Sequence, residues 1–171
     1  MSIEDDAPVF FGVRYGRLLK IMTTVAGLIL LVVPGIGLVT GRHEPFALAG
    51  MVGLPLAILV TTFLFAVRGY EVAASGVYVA RPIGPKRIAA RITDIAADDS
   101  ALEGAIRTFG NGGLFSFNGW FRLRKYGSCR LWVTDLDCLV VMRGDSGCVV
   151  VSPAQRERFV TTVRKRLGGA S

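Results

Sequence analysis

Two close pairs of carboxylates, Asp98 with Asp99 and Asp135 with Asp137, are residues whose type and spacing suggest chemistry, since paired carboxylates can divide general acid and base work. Both pairs fall in turn-like segments and neither has a partner base nearby in sequence. Cys129, Cys138 and Cys148 form an odd set without CxxC spacing, and the single histidine, His43, stands far from them between two apolar runs, so the chain offers no zinc set. Gly110-Asn111-Gly112-Gly113 can be read as a phosphate cradle, but no Lys-Ser/Thr pair follows it and no helix start comes after it, which makes it a turn or bulge between strands. These residues give no catalytic residue, no metal and no cofactor. The expectation is a protein that is not an enzyme.

The segment that suggests binding is Phe115, Phe117, Trp120 and Phe121 interleaved with Arg122, Arg124 and Lys125. In one reading the alternate aromatics fill a core and the cations are its solvated face. In the other, an aromatic loop beside cations meets anionic lipid headgroups or a protein partner, each cation near an anionic leaflet contributing ~1 kcal/mol. Residues 71–171 hold 15 Lys+Arg and 9 Asp+Glu, a net +6 that suits a negatively charged surface. Nucleic acid is set aside as a partner, because no helix-turn-helix or RNP-like signature accompanies the charge.

What positions this segment follows from the distribution of apolar residues. The chain is 51% hydrophobic and 19% charged, too apolar for a disordered chain, and its 171 residues leave room for one modest domain beside a membrane element. Residues 21–40 and 46–67 contain no charged side chain, and as helices they extend roughly 30 and 33 Å, about the thickness of a bilayer core. The eleven Leu, Ile and Val residues of the first run favour insertion by about 3 to 7 kcal/mol. A secretory signal has a shorter core and no second, longer apolar run behind it.

The spacer Gly41-Arg42-His43-Glu44-Pro45 allows only a tight hairpin, so the sequence predicts an integral membrane protein with two spans and both chain ends on one side. Arg14, Arg17 and Lys20 precede the first run and Arg68 follows the second, against Arg42 alone between them. The positive-inside rule then places the N- and C-termini in the cytoplasm, the protein being multi-pass in the cell (inner) membrane. Pro34 and Pro55, with their neighbouring glycines, could mark a transport path. The absence of any ionisable side chain in either run favours an anchor.

From Arg68 onward, period-2 patterns broken by Gly, Pro and charge replace the long runs. Strands are predicted at 70–73, 76–81, 87–91, 92–97, 104–109, 120–123, 128–134, 138–143 and 148–152. Ser75-Gly76, Pro82 to Pro85, Gly110 to Gly113, Asn118-Gly119 and Gly144 to Gly147 supply the turns. Closely spaced strands without intervening helices predict a small antiparallel barrel or sandwich. In a cytoplasmic domain the cysteines are expected as buried strand residues without a disulfide. A last helix, 153–167, is predicted from Ser152-Pro153-Ala154-Gln155, which has the form of a capping box, followed by the apolar face Phe159, Val160, Val163 and Leu167. The organisation read this way is 1–20 as an N-terminal cytoplasmic segment, 21–67 as the transmembrane hairpin and 68–171 as the β-rich domain.

A terminal helix after a series of strands is the order of pleckstrin-homology-like barrels. The residues RPIGPKRI (81–88), AIRTFGNGGLFSFNGWFRLRKYG (105–127), WVTD (132–135) and VVVSP with Arg158-Phe159 resemble the bacterial PH domain family over roughly 68–167. Members of that family are typically small proteins with hydrophobic helices before one PH-like domain. Ala154-Gln155-Arg156 departs from the acidic residues and second proline that the family often carries there. The resemblance implies a membrane-anchored α+β protein, a two-helix transmembrane hairpin followed by a PH-like antiparallel β-barrel capped by a C-terminal helix, and brings no catalytic residues. The expected function is protein interaction or scaffolding at the cytoplasmic face, with an unidentified protein partner. Anionic-lipid headgroup binding is the alternative, and a small transporter or enzyme subunit is the third.

Overall fold

A computed structural model of the chain describes residues 7–40 and 45–168, so residues 41–44 of the expected hairpin spacer lie outside the described residues, and its last residue, Pro45, begins a helix. In chain order the elements are β1 (Val9–Gly12), α1 (Arg17–Thr40), α2 (Pro45–Leu64), β2 (Gly69–Ala73), β3 (Gly76–Ala80), β4 (Lys86–Ala89), β5 (Ile92–Ala97), β6 (Ile106–Gly112), β7 (Phe117–Leu123), β8 (Gly127–Val133), β9 (Val140–Gly144), β10 (Gly147–Val151) and α3 (Arg156–Leu167).

Both apolar runs form helices that continue through Pro34 and Pro55. Thr23 near the start of α1 and Phe63 near the end of α2 both touch Phe115, while Gly37 of α1 faces Met51 of α2, so the two helices run antiparallel. Their flanks leave Leu28, Leu31, Val39, Leu54 and Leu56 exposed, an arrangement that water penalises and lipid does not. By length and composition Arg17–Val39 is long and apolar enough to cross a membrane; the apolar helix Ala49–Leu64 is shorter.

Sequence periodicity gives no strand before residue 70, yet Val9–Gly12 pairs antiparallel with β2 and sets Gly12 opposite Gly69. The two helices are therefore inserted between two neighbouring strands of one sheet. Glycine at 69 suits this crossing, because a Cβ there would sit 2.9 Å from the Phe11 carbonyl and would also displace the Phe10 ring. The four-stranded sheet has the order β1-β2-β3-β4, and a six-stranded sheet has the order β5-β9-β10-β8-β7-β6.

The expected antiparallel barrel is corrected in one pairing: β10 runs parallel to β8, with Cys148 opposite Cys129. That register explains a second correction. The two cysteines, expected unpaired, form a disulfide with Cα atoms 4.6 Å apart, a proximity created by strand order and invisible in their spacing of 19. Cys138 remains free. Asn118-Gly119 is not a turn but lies inside β7, because Gly119 faces Gly110 across the ladder and a Cβ at 119 would meet the Phe109 carbonyl at 2.2 Å. Gly110 to Gly112 likewise belong to β6, and the reversal falls at 113–116.

One core lies between the sheets, where Tyr70, Val72, Val77 and Val79 face Trp132, Val140, Met142 and Val151. The phenol of Tyr70 ties the layers together, donating to the Trp132 carbonyl and accepting from the Ser152 amide. Burial pushes its pKa up to about 12. A second core covers the opposite face of the large sheet, where Leu123, Leu131, Val141 and Val150 pack under Ala101, Leu102 and Leu19 of α1.

α3 buries Phe159 and Val163 against the first core, but it begins at Arg156 and not at 153. The expected capping box fails because Ser152 Oγ is taken by the amides of Thr134 and Asp135, and Gln155 makes no side-chain cap. The basic end of α3 instead reaches backbone carbonyls: Arg164 donates to Ile95 of β5, and Arg166 donates to Val72 of β2 and to Ala7 ahead of β1.

Candidate functional site

The segment singled out by sequence is divided by β-sheet alternation into separate environments. Phe117 is buried and Phe121 half-buried in the second core. Phe115, at φ 63°, occupies the reversal between β6 and β7, where its amide donates to Thr23 Oγ1 and its ring meets Phe63 edge-on at 5.9 Å. Thr23 Oγ1 in turn donates to the Gly113 carbonyl. The hairpin tip is thus fastened to the base of both apolar helices, and Phe115 is a docking residue.

Arg122 and Arg124 are exposed. Lys125 is bound to Asp98 at 2.6 Å, and that carboxylate also accepts from the Tyr126 hydroxyl and from the hydroxyl and amide of Ser100. These donors hold the Asp98 carboxyl below the usual carboxylate range, Lys125 first among them, and the same bond raises the Lys125 pKa. Asp99 pairs with Arg156, and Asp135 accepts the Asp137 amide. The carboxylates that suggested chemistry are engaged in loop structure. Among the described residues no three His, Cys, Asp or Glu side chains gather as a metal set.

Trp120 is the one residue of the segment that reaches a different place. It lies 43% exposed on the same face of the large sheet as Trp132, toward the β6 end, and the guanidinium of Arg130 sits over its ring at 5.6 Å. Beside it a groove of ≈ 360 Å³ is lined by Thr61, Thr62 and Phe65 at the end of α2, by Phe109, Gly110, Asn118 and Gly119, and by Arg130. Phe109 is 77% exposed. The strand alternation that buries Cys129, Leu131 and Val133 on one side of β8 puts Arg130 and Trp132 on the groove side.

Arg130 is not alone there. Its guanidinium, that of Arg81 and the ammonium of Lys86 stand over the Trp132 ring at 4.9, 5.7 and 5.8 Å. Arg81 also covers Phe65, and Arg68 covers Phe63, so the cations reach the last turn of α2. Burial lowers the pKa of both Arg81 and Lys86, and the charge of Arg130 lowers them further. Sequence reading missed this cluster, because residues 81, 86 and 130 come from two sides of the molecule. The available signal was the phase of β8, which puts a cation and a tryptophan on one face.

A family model described as "Bacterial PH domain" matches residues 68–167, which leaves β1 and both apolar helices outside the match. No curated protein and no solved structure matches the chain.

Proposed function

Since the chain belongs to the bacterial PH domain family, we propose that it is a non-catalytic binding module anchored by two membrane spans, and that it works on the cytoplasmic surface of the membrane that holds it. The observation that carries this reading is the groove of Phe109, Trp120 and Arg130 beside the end of α2. An apolar aromatic surface edged with cations stands where a helix leaves the hydrocarbon, a level that suits tryptophan and arginine. The strand pair β1–β2 and the docked Phe115 tip fix the domain in that pose.

The test is fluorescence quenching of the full-length protein in vesicles whose lipids are brominated near the headgroup. Strong quenching that falls in Trp120→Phe supports a groove facing the bilayer, and unquenched tryptophan rejects it.

Protein scaffolding is supported by a separate observation. β6 is an end strand of the large sheet and leaves Ile106 and Phe109 exposed, so it offers backbone groups for a partner strand. In-cell crosslinking of the full chain against Ile106→Lys tests that reading; a partner retained by the variant argues against the strand edge.

A further inference from the structure

Three cations gathered on one indole, with no carboxylate paired to them among the described residues, need a reason to be there. Two guanidiniums and an ammonium carry about thirteen N–H donors. Among the described residues one of these meets a protein acceptor, the Arg81 Nε bond to the Gly84 carbonyl at 3.2 Å. No carboxylate among the described residues pairs with Arg81, Lys86 or Arg130; the ion pairs formed there are Lys125 with Asp98 and Arg156 with Asp99. Two donors in the cluster are also fully covered and unpartnered: Arg130 Nε, and the indole Nε1 of Trp132, whose side chain is 1% exposed. A buried N–H without an acceptor is costly, and like charges in a half-buried site repel, so the cluster is complementary to an absent anion with several acceptor oxygens.

We propose that Arg81, Lys86, Arg130 and the indole N–H of Trp132 bind the phosphate group of an anionic membrane lipid, whose apolar part lies along Phe65, Phe109 and Trp120. This rests on the membrane-surface reading above and adds to it the ligand and the residues that take it. Charge selects the phosphate, because three cations without carboxylates exceed what the single phosphate charge of a zwitterionic lipid, already balanced by its own amine, would neutralise. Position selects the lipid over a soluble phosphate. Arg81 lies over Phe65, the residue that follows α2, and the adjoining groove is walled by aromatics with room for apolar chain.

Both tryptophans of the chain border this site, so its occupancy can be read directly. Full-length protein is placed in phosphatidylcholine nanodiscs containing a minor fraction of either brominated phosphatidylglycerol or brominated phosphatidylcholine. The expected result is an apparent affinity about tenfold or more higher for the anionic lipid, lost in Lys86→Gln and in Arg130→Gln and kept in Arg122→Gln/Arg124→Gln. Lys86 is half-exposed, so its variant keeps the test open if Arg130→Gln does not fold, and circular dichroism of each variant confirms which do. Equal quenching by both lipids in the wild type, or a preference that survives Lys86→Gln in a folded protein, overturns the lipid site while leaving the surface reading. Quenching by neither lipid overturns both. A preference abolished by inorganic phosphate alone overturns the lipid assignment in favour of a soluble phosphate.

Discussion

Two cationic regions of the β-domain invite comparison. Around Asp98, one carboxylate gathers Lys125, Tyr126 and Ser100, all drawn from two loops at one end of the large sheet, and the lysine has its carboxylate partner. Around Trp132, three cations share an aromatic face and none has a carboxylate among the described residues. The first region is adjacent in sequence to an aromatic run and looks like a binding patch; in the structure its lysine is committed to holding a loop. The second is scattered in sequence and has the unspent donors. Net charge therefore locates a binding surface poorly, and the balance of donors against acceptors in each place locates it well.

The largest effect in breaking this comparison is expected from the platform of the unpaired cluster. Trp132→Ala removes the ring on which three cations stand and opens a cavity between the sheets, so denaturant unfolding should show a loss of about 3–5 kcal/mol. Trp132→Phe keeps most of the packing and should lose much less. Reduction of the Cys129–Cys148 disulfide, which fixes the strand carrying Arg130, comes next at ~3 kcal/mol for a loop of this length. The bond also tests the side of the membrane. In cells quenched with acid, a cytoplasmic domain should have both cysteines open to alkylation without reductant, and protection would place the domain in an oxidising compartment against the charge rule.

Tyr70→Phe should cost about 1–3 kcal/mol, since it leaves the Trp132 carbonyl and the Ser152 amide without their shared partner. Its folded pKa of about 12 exceeds the ordinary phenol value near 10, so the wild-type contribution is complete below pH ~10 and drains as pH rises toward about 12. The variant should lack that alkaline component in a pH series of thermal midpoints. Smallest is Asp98→Asn. Its carboxyl is held below the usual range, so the stability it lends is present above pH ~4 and is lost as pH falls further; the variant should flatten that acid limb and leave lipid preference unchanged.

Periodicity reveals nine of the strands, and unbroken apolar length reveals both helices, because each of these signals is carried within its own segment. β1 escapes it: four residues with one buried, Phe11, are a strand only because β2 lies beside them. The capping box of Ser152 was locally well formed and lost to a tertiary competitor, the amides of Thr134 and Asp135. Cys129 and Cys148 meet through a parallel pairing that no turn signal announces. The Trp132 cluster joins the β3–β4 turn, β4 and β8 and depends on strand order for its existence. What each residue needs locally is written along the chain; what it finds across the sheets is not.

The insertion of both helices between β1 and β2 has a consequence for how the molecule is made. At a ribosomal rate of roughly 5–20 residues per second, about 3–11 s separate the synthesis of Gly12 from that of Gly69, its partner in the ladder. Through that interval the first strand waits unpaired while both apolar helices are made. It can close onto the small sheet only after the chain has returned, so completion of the domain becomes a record that both helices have been accommodated.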